Sequence, residues 1–177
     1  PDTIIHIDEA YINYTDPGAM ETALPLVKEF KNVFITRSFS KAHGLAGMRI
    51  GYALGHADTL AKIDASWGMG DVNMLGALAA LTALNDDEHI EWERQENFAI
   101  KTFVIKAFEE MGYEVPYTHT NHLFVNLGMP ASKFREACLA HDILVGRDFP
   151  PLENTHCRIS LGSREEMEQA VAVFRRV

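Results

Sequence analysis

The sequence predicts an α/β protein in which part of a parallel sheet is followed by a smaller α+β unit. The first observation is a strand–helix–strand succession, with a β-branched run at 3–7, an amphipathic stretch at 22–30 and an apolar run at 32–36. Parallel strands need a crossover connection, which is usually a helix. The second observation is a change of pattern beyond residue 90, where strand-like segments alternate with amphipathic helices.

Each element follows from the spacing of apolar residues and from the chain breakers between them. The run 3–7 predicts a buried strand, because strands covered on both faces are rich in β-branched residues. The predicted strands are 3–7, 32–36, 49–54, 122–127, 143–145 and 157–161. The predicted helices are 22–30, 56–66, 73–84, 88–111, 133–141 and 164–175. We expect two domains, 1–88 and 89–177, with the long helix leading into the second.

Composition excludes several classes of protein. A chain of 177 residues with 47% hydrophobic and 23% charged residues has the composition of a soluble globular protein. A formal charge of −9 with dispersed Lys and Arg argues against a nucleic-acid surface. The weakly polar stretch 73–84 is too short to span a bilayer, and no signal peptide is evident. Cys138 and Cys157 are expected to be free buried thiols, no Cys/His spacing indicates a metal site, and a cytoplasmic location is predicted.

The stretch 38–52 is the candidate for chemistry. It combines Ser38, Lys41 and Arg49 with three glycines, between two strand-like runs. A lysine that condenses with a carbonyl must be neutral part of the time, and a nearby cation favours that state. Asp8 and Tyr11 follow the first predicted strand, where open α/β sheets hold ligands. Taken singly, Lys41 reads as a solvated loop lysine, Asp8 as a cap or turn residue, and Arg49 as a surface ion-pair partner.

Together these residues resemble the pattern of the class I/II aminotransferases, the fold type I pyridoxal-phosphate enzymes. The resemblance is carried by Asp8-x-x-Tyr11, by Ser38-x-x-Lys41 and by Arg49 eight residues further on. The sequence of residues 40–52 most resembles that of the histidinol-phosphate aminotransferase branch. Similarity continues through 146–150 and 157–163, so it extends over essentially the whole chain.

The resemblance implies a fold type I large-domain part, a small C-terminal domain and a role for each matching residue. Lys41 would be the Schiff-base lysine that holds pyridoxal 5'-phosphate and shuttles a proton during the reaction. Asp8 would pair with the ring nitrogen, and Tyr11 would hydrogen-bond the phenolic oxygen. Ser38 and Arg49 would bind the phosphate.

The second half would supply the substrate contacts. Arg158 matches the arginine that grips the substrate carboxylate, or the phosphate end in the histidinol-phosphate branch, and a planar guanidinium suits either anion. Arg147 is a second candidate for that role. Asn121 matches a family asparagine near the small-domain side of the site; the alternative is a strand-edge or turn asparagine.

The implied function is transfer of an amino group between an amino acid or amine and a 2-oxo acid, with histidinol phosphate and glutamate/2-oxoglutarate as the preferred pair. A homodimer is expected from the resemblance alone. Family members are roughly twice as long, so the chain resembles the C-terminal half of one. Three alternatives remain: a truncated non-catalytic module, another fold type I enzyme such as a phospho-amino-acid decarboxylase, and a simple phosphate-binding domain.

Overall fold

A computed structural model describes residues 3–67 and 71–177, except for the side chains of residues 66 and 67. The chain divides into two compact units, residues 1–94 and 95–177. The boundary between them falls inside α4, which runs from Asp87 to Glu110. The assignment of cofactor and substrate functions to domains 1–88 and 89–177 stays a prediction.

The first unit contains a three-stranded sheet in the order β1-β2-β3. These strands are Ile5–Asp8, Val33–Ser38 and Gly51–Gly55. β1 and β2 are parallel and are joined through α1 (Leu24–Glu29), which agrees with the crossover expected from the sequence. β3 runs antiparallel to β2, because the chain between them returns through a tight loop and a 3-10 helix, not through a crossover helix.

Two further helices follow in the first unit, α2 (Ala57–Trp67) and α3 (Met74–Ala83). The expectation that residues 3–7 form a buried strand is wrong for the part of the chain that the structure describes. β1 lies at the edge of the sheet, and Ile5 is 47% exposed, whereas Ile35 on the central strand β2 is fully buried. The β-branched run identified the strand correctly, but burial depends on what covers its face.

The second unit takes the C-terminal part of α4 and packs helices around a two-stranded antiparallel sheet. Its elements are β4 (His122–Asn126), α5 (Ala131–Leu139), β5 (His156–Ser160) and α6 (Arg164–Phe174). The predicted strand 143–145 is wrong, since these residues are irregular. Next to this segment, the Gly146 amide donates to the Arg158 carbonyl of β5, and a single bond of this kind makes no ladder.

The core of the second unit is aromatic and aliphatic. Phe108 on α4 stacks on Phe174 of α6, and the two cysteines lie beside them in the same cluster with no exposed surface. Cys138 and Cys157 are free and buried, as expected. Burial raises the pKa of each thiol to about 11. Among the described residues, none of the helices is long and apolar enough to cross a membrane, and no group of His, Cys, Asp and Glu could hold a metal ion.

Candidate active site

The loop that carries Lys41 is fixed by its own backbone. The Gly44 amide donates to the Lys41 carbonyl at 2.8 Å, and the Leu45 amide donates to the Phe39 carbonyl at 2.9 Å. Gly44 has φ +68°, a left-handed conformation that glycine adopts without a steric cost. The Ser38 hydroxyl oxygen accepts from the Ser40 amide at 3.0 Å, so the turn begins with a side-chain bond. Lys41 is therefore presented from a defined turn directly beyond β2.

The carboxylate of Asp8 is held at the neighbouring strand end. Its Oδ1 accepts from the Ala10 amide at 3.0 Å and from the Thr36 hydroxyl at 3.4 Å. His6 Nε2 lies 2.8 Å from that same hydroxyl oxygen. Asp8 pairs with Thr36 across the parallel strands, and Ser38 lies two residues further along β2. The parallel pairing thus brings the carboxylate and the serine loop to the same edge of the sheet.

These strand ends border an open cavity of about 440 Å³. Its lining includes Asp8, Ser38, Ser40 and Arg49, which combine one carboxylate, two hydroxyls and a guanidinium. Lys41 and Tyr11 do not line it; they directly follow the lining residues Ser40 and Ala10 in the chain, and Lys41 Nζ lies 5.2 Å from the centroid of the Tyr11 ring. Of the five candidate residues in the first unit, Asp8, Ser38 and Arg49 line the cavity, and the other two contact each other next to it in the chain. Their individual roles stay predictions.

Arg49 has an unusual backbone for a side chain of its size. Its φ of 55° and ψ of 47° place it in the left-handed region, at the end of the 3-10 helix Ala46–Met48. Left-handed non-glycine residues cost about 1–3 kcal/mol and are concentrated at functional sites. The Nη1 atom of Arg49 donates to the Ala46 carbonyl at 3.0 Å, which bends the guanidinium back over the turn. Arg49 is exposed and lines the cavity in this conformation.

An ion pair between the buried Glu9 and Arg37, which lines the cavity, was not predicted from the sequence. Glu9 is only 3% exposed and accepts from Arg37 Nε at 2.9 Å, from the Thr22 hydroxyl at 2.9 Å and from the Ala23 amide at 2.6 Å. Burial acts to lower the pKa of Arg37, but hydrogen bonds to Tyr52 and Glu9 outweigh it and raise that pKa. The network ties the segment after Asp8 to β2. The only sequence signal was an acidic residue next to Asp8 at a strand end.

A second anchor on the first unit comes from α4. His89 Nε2 lies 3.1 Å from the carbonyl oxygen of Ala42, the residue after Lys41. On the same helix, Glu93 accepts a hydrogen bond of 2.7 Å from the buried Tyr14 hydroxyl, and burial together with Glu93 raises the pKa of Tyr14. The start of α4 therefore contacts both the lysine loop and the chain that follows Asp8.

The second unit has a separate cavity of about 330 Å³, and Arg158 lines it. The other lining residues are His122, Phe124, Phe149, Pro150, Pro151 and Leu152. Arg158 on β5 pairs directly with Phe124 on β4, and its buried Nε has no hydrogen-bond partner among the described residues. Arg147 reaches the same aromatic group, since its guanidinium carbon lies 4.6 Å from the Phe149 ring centroid.

Asn121 lies immediately before β4, where its carbonyl accepts from the Leu161 amide at 3.0 Å. Among the described residues it is not part of the lining of the Arg158 cavity, whereas its neighbour His122 is. The structure therefore places Arg158 and Arg147 around one ring and leaves Asn121 at the strand end. A substrate role for each of them stays a prediction.

Residues 2–174 match the model of the family described as aminotransferase class I and II, and the chain belongs to that family. It is 35% identical over 176 residues to histidinol-phosphate aminotransferase 2 of Bacillus cereus (strain ZK), covering 97% of this chain and 45% of that protein. A crystal structure from Erwinia carotovora atroseptica superposes with a TM-score of 0.92 at 30% identity, over 99% of this chain and 51% of the other.

A third relative carries a ligand. The histidinol-phosphate aminotransferase of Sinorhizobium meliloti, solved in complex with pyridoxal-5'-phosphate, gives a TM-score of 0.82 at 27% identity, over 98% of this chain and 48% of that one. The fold type I architecture expected from the sequence is therefore confirmed. The chain spans about half the length of the curated relatives it matches.

Proposed function

We propose that this chain is the part of a pyridoxal-phosphate-dependent aminotransferase that holds the catalytic lysine and the substrate arginine. The observation that carries the proposal is the grouping of Asp8, Ser38 and Arg49 around one cavity, with Lys41 and Tyr11 beside it. Family membership supports the reaction class. The preferred substrates are histidinol phosphate and glutamate/2-oxoglutarate, in line with the names of the relatives.

The side chains around the cavity fit this cofactor chemically. A carboxylate suits a basic ring nitrogen, while two hydroxyls and a guanidinium suit a phosphate. Pyridoxal phosphate, when bound, supplies an aldehyde that condenses with amines and a ring that withdraws electrons from the carbon bonded to that amine. Lys41 provides the amine, and the fixed turn around it limits the positions that the amine can reach.

The remaining tasks are proposed from the contacts of this chain. The Ala10 amide and the Thr36 hydroxyl orient Asp8, because both donate to the same carboxylate oxygen. Ser38 and Arg49 would hold the phosphate of the cofactor, and Tyr11 would donate a hydrogen bond to its phenolic oxygen. Arg158 binds the anionic end of the substrate, because it lines the second cavity and its Nε has no hydrogen-bond partner among the described residues. A homodimer and a cytoplasmic location are part of the same proposal.

The decisive experiment is covalent labelling. The 177-residue chain is mixed with pyridoxal phosphate, its visible absorbance is recorded, and borohydride then fixes the cofactor to the amine that it has condensed with. Peptide mapping should find the label on Lys41. Lys41→Ala should abolish both the band and the label, and Lys28→Ala, which removes an exposed lysine on α1, should change neither.

The rival function is a non-catalytic module, and it is favoured by the half-length coverage of the relatives. A well-folded sample without an absorbance band would support that rival and refute the proposal for this chain. A label that persists in Lys41→Ala would refute the assignment of the lysine. In a preparation with measurable aminotransferase activity, Arg158→Ala should raise the KM for the anionic substrate severely. An unchanged KM would show that Arg158 is not part of the substrate site.

A further inference from the structure

The cavity of the second unit has an aromatic side chain at its centre. The guanidinium carbon of Arg147 lies 4.6 Å from the centroid of Phe149, and that of Arg158 lies 5.6 Å from the same centroid. Both distances are within the range of about 6 Å at which a ring attracts a cation through its negative face. The two guanidinium carbons cannot be farther apart than the sum of these distances. One ring therefore contacts two positive charges that repel each other.

The position of that ring is fixed by β4. Phe149 packs edge-on against Phe124, with 6.0 Å between the ring centroids. Phe124 is the cross-strand partner of Arg158, and its ring stacks on His156 at 5.0 Å. The strand that carries Arg158 and the strand that supports Phe149 are therefore paired at this level of the sheet.

The segment that delivers Phe149 is also held from behind. The Gly146 amide donates to the Arg158 carbonyl at 3.0 Å. From α5, Arg135 Nη1 donates to the Gly146 carbonyl at 3.0 Å, and Arg135 Nη2 donates to Asp148 Oδ1 at 2.8 Å. A glycine is needed at 146 because a Cβ there would lie 2.5 Å from the Arg158 carbonyl oxygen. The loop is thus tied to β5 and to α5 on either side of Arg147.

From these contacts we infer that Phe149 is a positioning residue, which orients Arg147 and Arg158 as a pair and sets the anion affinity of the cavity. The inference rests on the proposed function only for the identity of the anion. Arg158 Nε has no hydrogen-bond partner among the described residues, so the Phe149 ring face is a contact that can orient this guanidinium. Without the ring face, the two cations are expected to separate and to lose part of their joint affinity.

The test reads the arginines directly and uses neither cofactor nor turnover. Inorganic phosphate is titrated into the 177-residue chain while the Nε–Hε NMR signals of Arg158 and Arg147 are followed, each assigned by its disappearance in the corresponding Arg→Lys variant. Because each arginine is followed separately, phosphate that binds near Arg49 is not mistaken for phosphate bound in this cavity. Phe149→Leu should weaken the phosphate affinity about three- to tenfold, in line with the usual strength of cation–ring contacts. Phe149→Tyr keeps the ring face and should restore it.

The matched control is Phe103→Leu. Phe103 receives the guanidinium of Arg164 at 3.9 Å from its ring centroid, in the same unit but outside the cavity lining. This variant should leave the phosphate titration of Arg158 unchanged. If Phe149→Leu does not fold, Arg135→Gln tests the same idea, since it releases the loop without altering the cavity lining, and it should also weaken binding.

Three outcomes would overturn the inference. The first is a wild-type chain in which phosphate shifts neither arginine signal. The second is an unchanged affinity in Phe149→Leu, or in Arg135→Gln where that variant replaces it. The third is an equal loss in Phe149→Tyr or in Phe103→Leu. A failure of Lys41 to take up pyridoxal phosphate would refute the proposed function but would not change these readings.

Discussion

Lys101 should stabilise the second unit, although a lysine in the middle of a helix normally reads as solvent-exposed. It is only 1% exposed, and its Nζ donates to the Thr118 carbonyl at 2.6 Å and to the Thr120 carbonyl at 3.3 Å. The same ammonium lies 5.1 Å from the centroid of the Tyr117 ring. The side chain therefore fastens the segment that leads into β4 to helix α4.

The test is Lys101→Met, which keeps most of the buried stem and removes the charged donor. A hydrogen bond from a charged group contributes about 1.5–3 kcal/mol, and an acceptor left buried without a partner costs about 1–3 kcal/mol. Removing the buried charge recovers part of its desolvation cost, which works in the opposite direction. With one short bond and one long bond, we expect a net loss of about 2 kcal/mol in the free energy of unfolding.

Urea unfolding followed by far-ultraviolet circular dichroism measures this change, provided that the slope with urea concentration is preserved. Amide hydrogen exchange of residues 118–121 should accelerate in the same variant. The matched control is Lys106→Met on the same helix, which removes the same charge from an exposed position and should alter stability by less than about 0.5 kcal/mol. A Lys101→Met protein as stable as the wild type would refute the reasoning, because it would mean that desolvation cancels the two bonds.

Three further predictions concern a close backbone approach and the two buried thiols. Gly146→Ala should destabilise the second unit by about 1–3 kcal/mol, because its Cβ would collide with the carbonyl of Arg158, whereas Gly47→Ala has open space and should be nearly neutral in the same urea assay. Burial raises the pKa of Cys138 and Cys157 to about 11 from an ordinary value of 9.0, so the folded state retains protons that the unfolded chain releases. Their contribution to the free energy of unfolding should therefore be complete below pH 9 and fall as the pH rises towards 11. Urea unfolding at several pH values should detect this loss. Replacement of both cysteines by alanine should remove it. Alkylation by iodoacetamide at about pH 8 should be slow in the folded protein and fast in urea, and equally fast reaction in both states would contradict this assignment of burial.

Much of the fold could be predicted because local periodicity was strong. The helices α4 and α6 and the strands β2, β4 and β5 each lie within a few residues of their predicted positions. The capping box of Ser163 and Glu166, which begins α6, is the kind of local signal that sequence retains. Direction and burial were harder, because the antiparallel return of β3 and the exposure of β1 depend on tertiary neighbours and not on the strand itself.

The candidate site shows the same division. Residue type and spacing brought Asp8, Tyr11, Ser38, Lys41 and Arg49 into consideration. In the structure three of them line one cavity of the first unit, and Lys41 contacts Tyr11. Spacing could not identify Glu9 or Lys101, because a charged residue is normally expected at the surface and only its partners make burial tolerable. Nor could it show that Arg147 and Arg158 contact one ring, since residues 147 and 158 are brought together by a loop with no periodic pattern.

The exposed edge strand has a practical consequence for anyone who handles this protein. β1 is paired on one side only within the described residues, and an apolar hollow of about 370 Å³ opens beside it, with Ile5, Leu26 and Phe30 in its lining. Unpaired backbone groups next to apolar surface act as a template for any extended chain. Concentrated samples should therefore self-associate, and a lysine introduced at position 5 should raise the concentration at which turbidity appears. Screening for solubility should therefore begin with substitutions in β1.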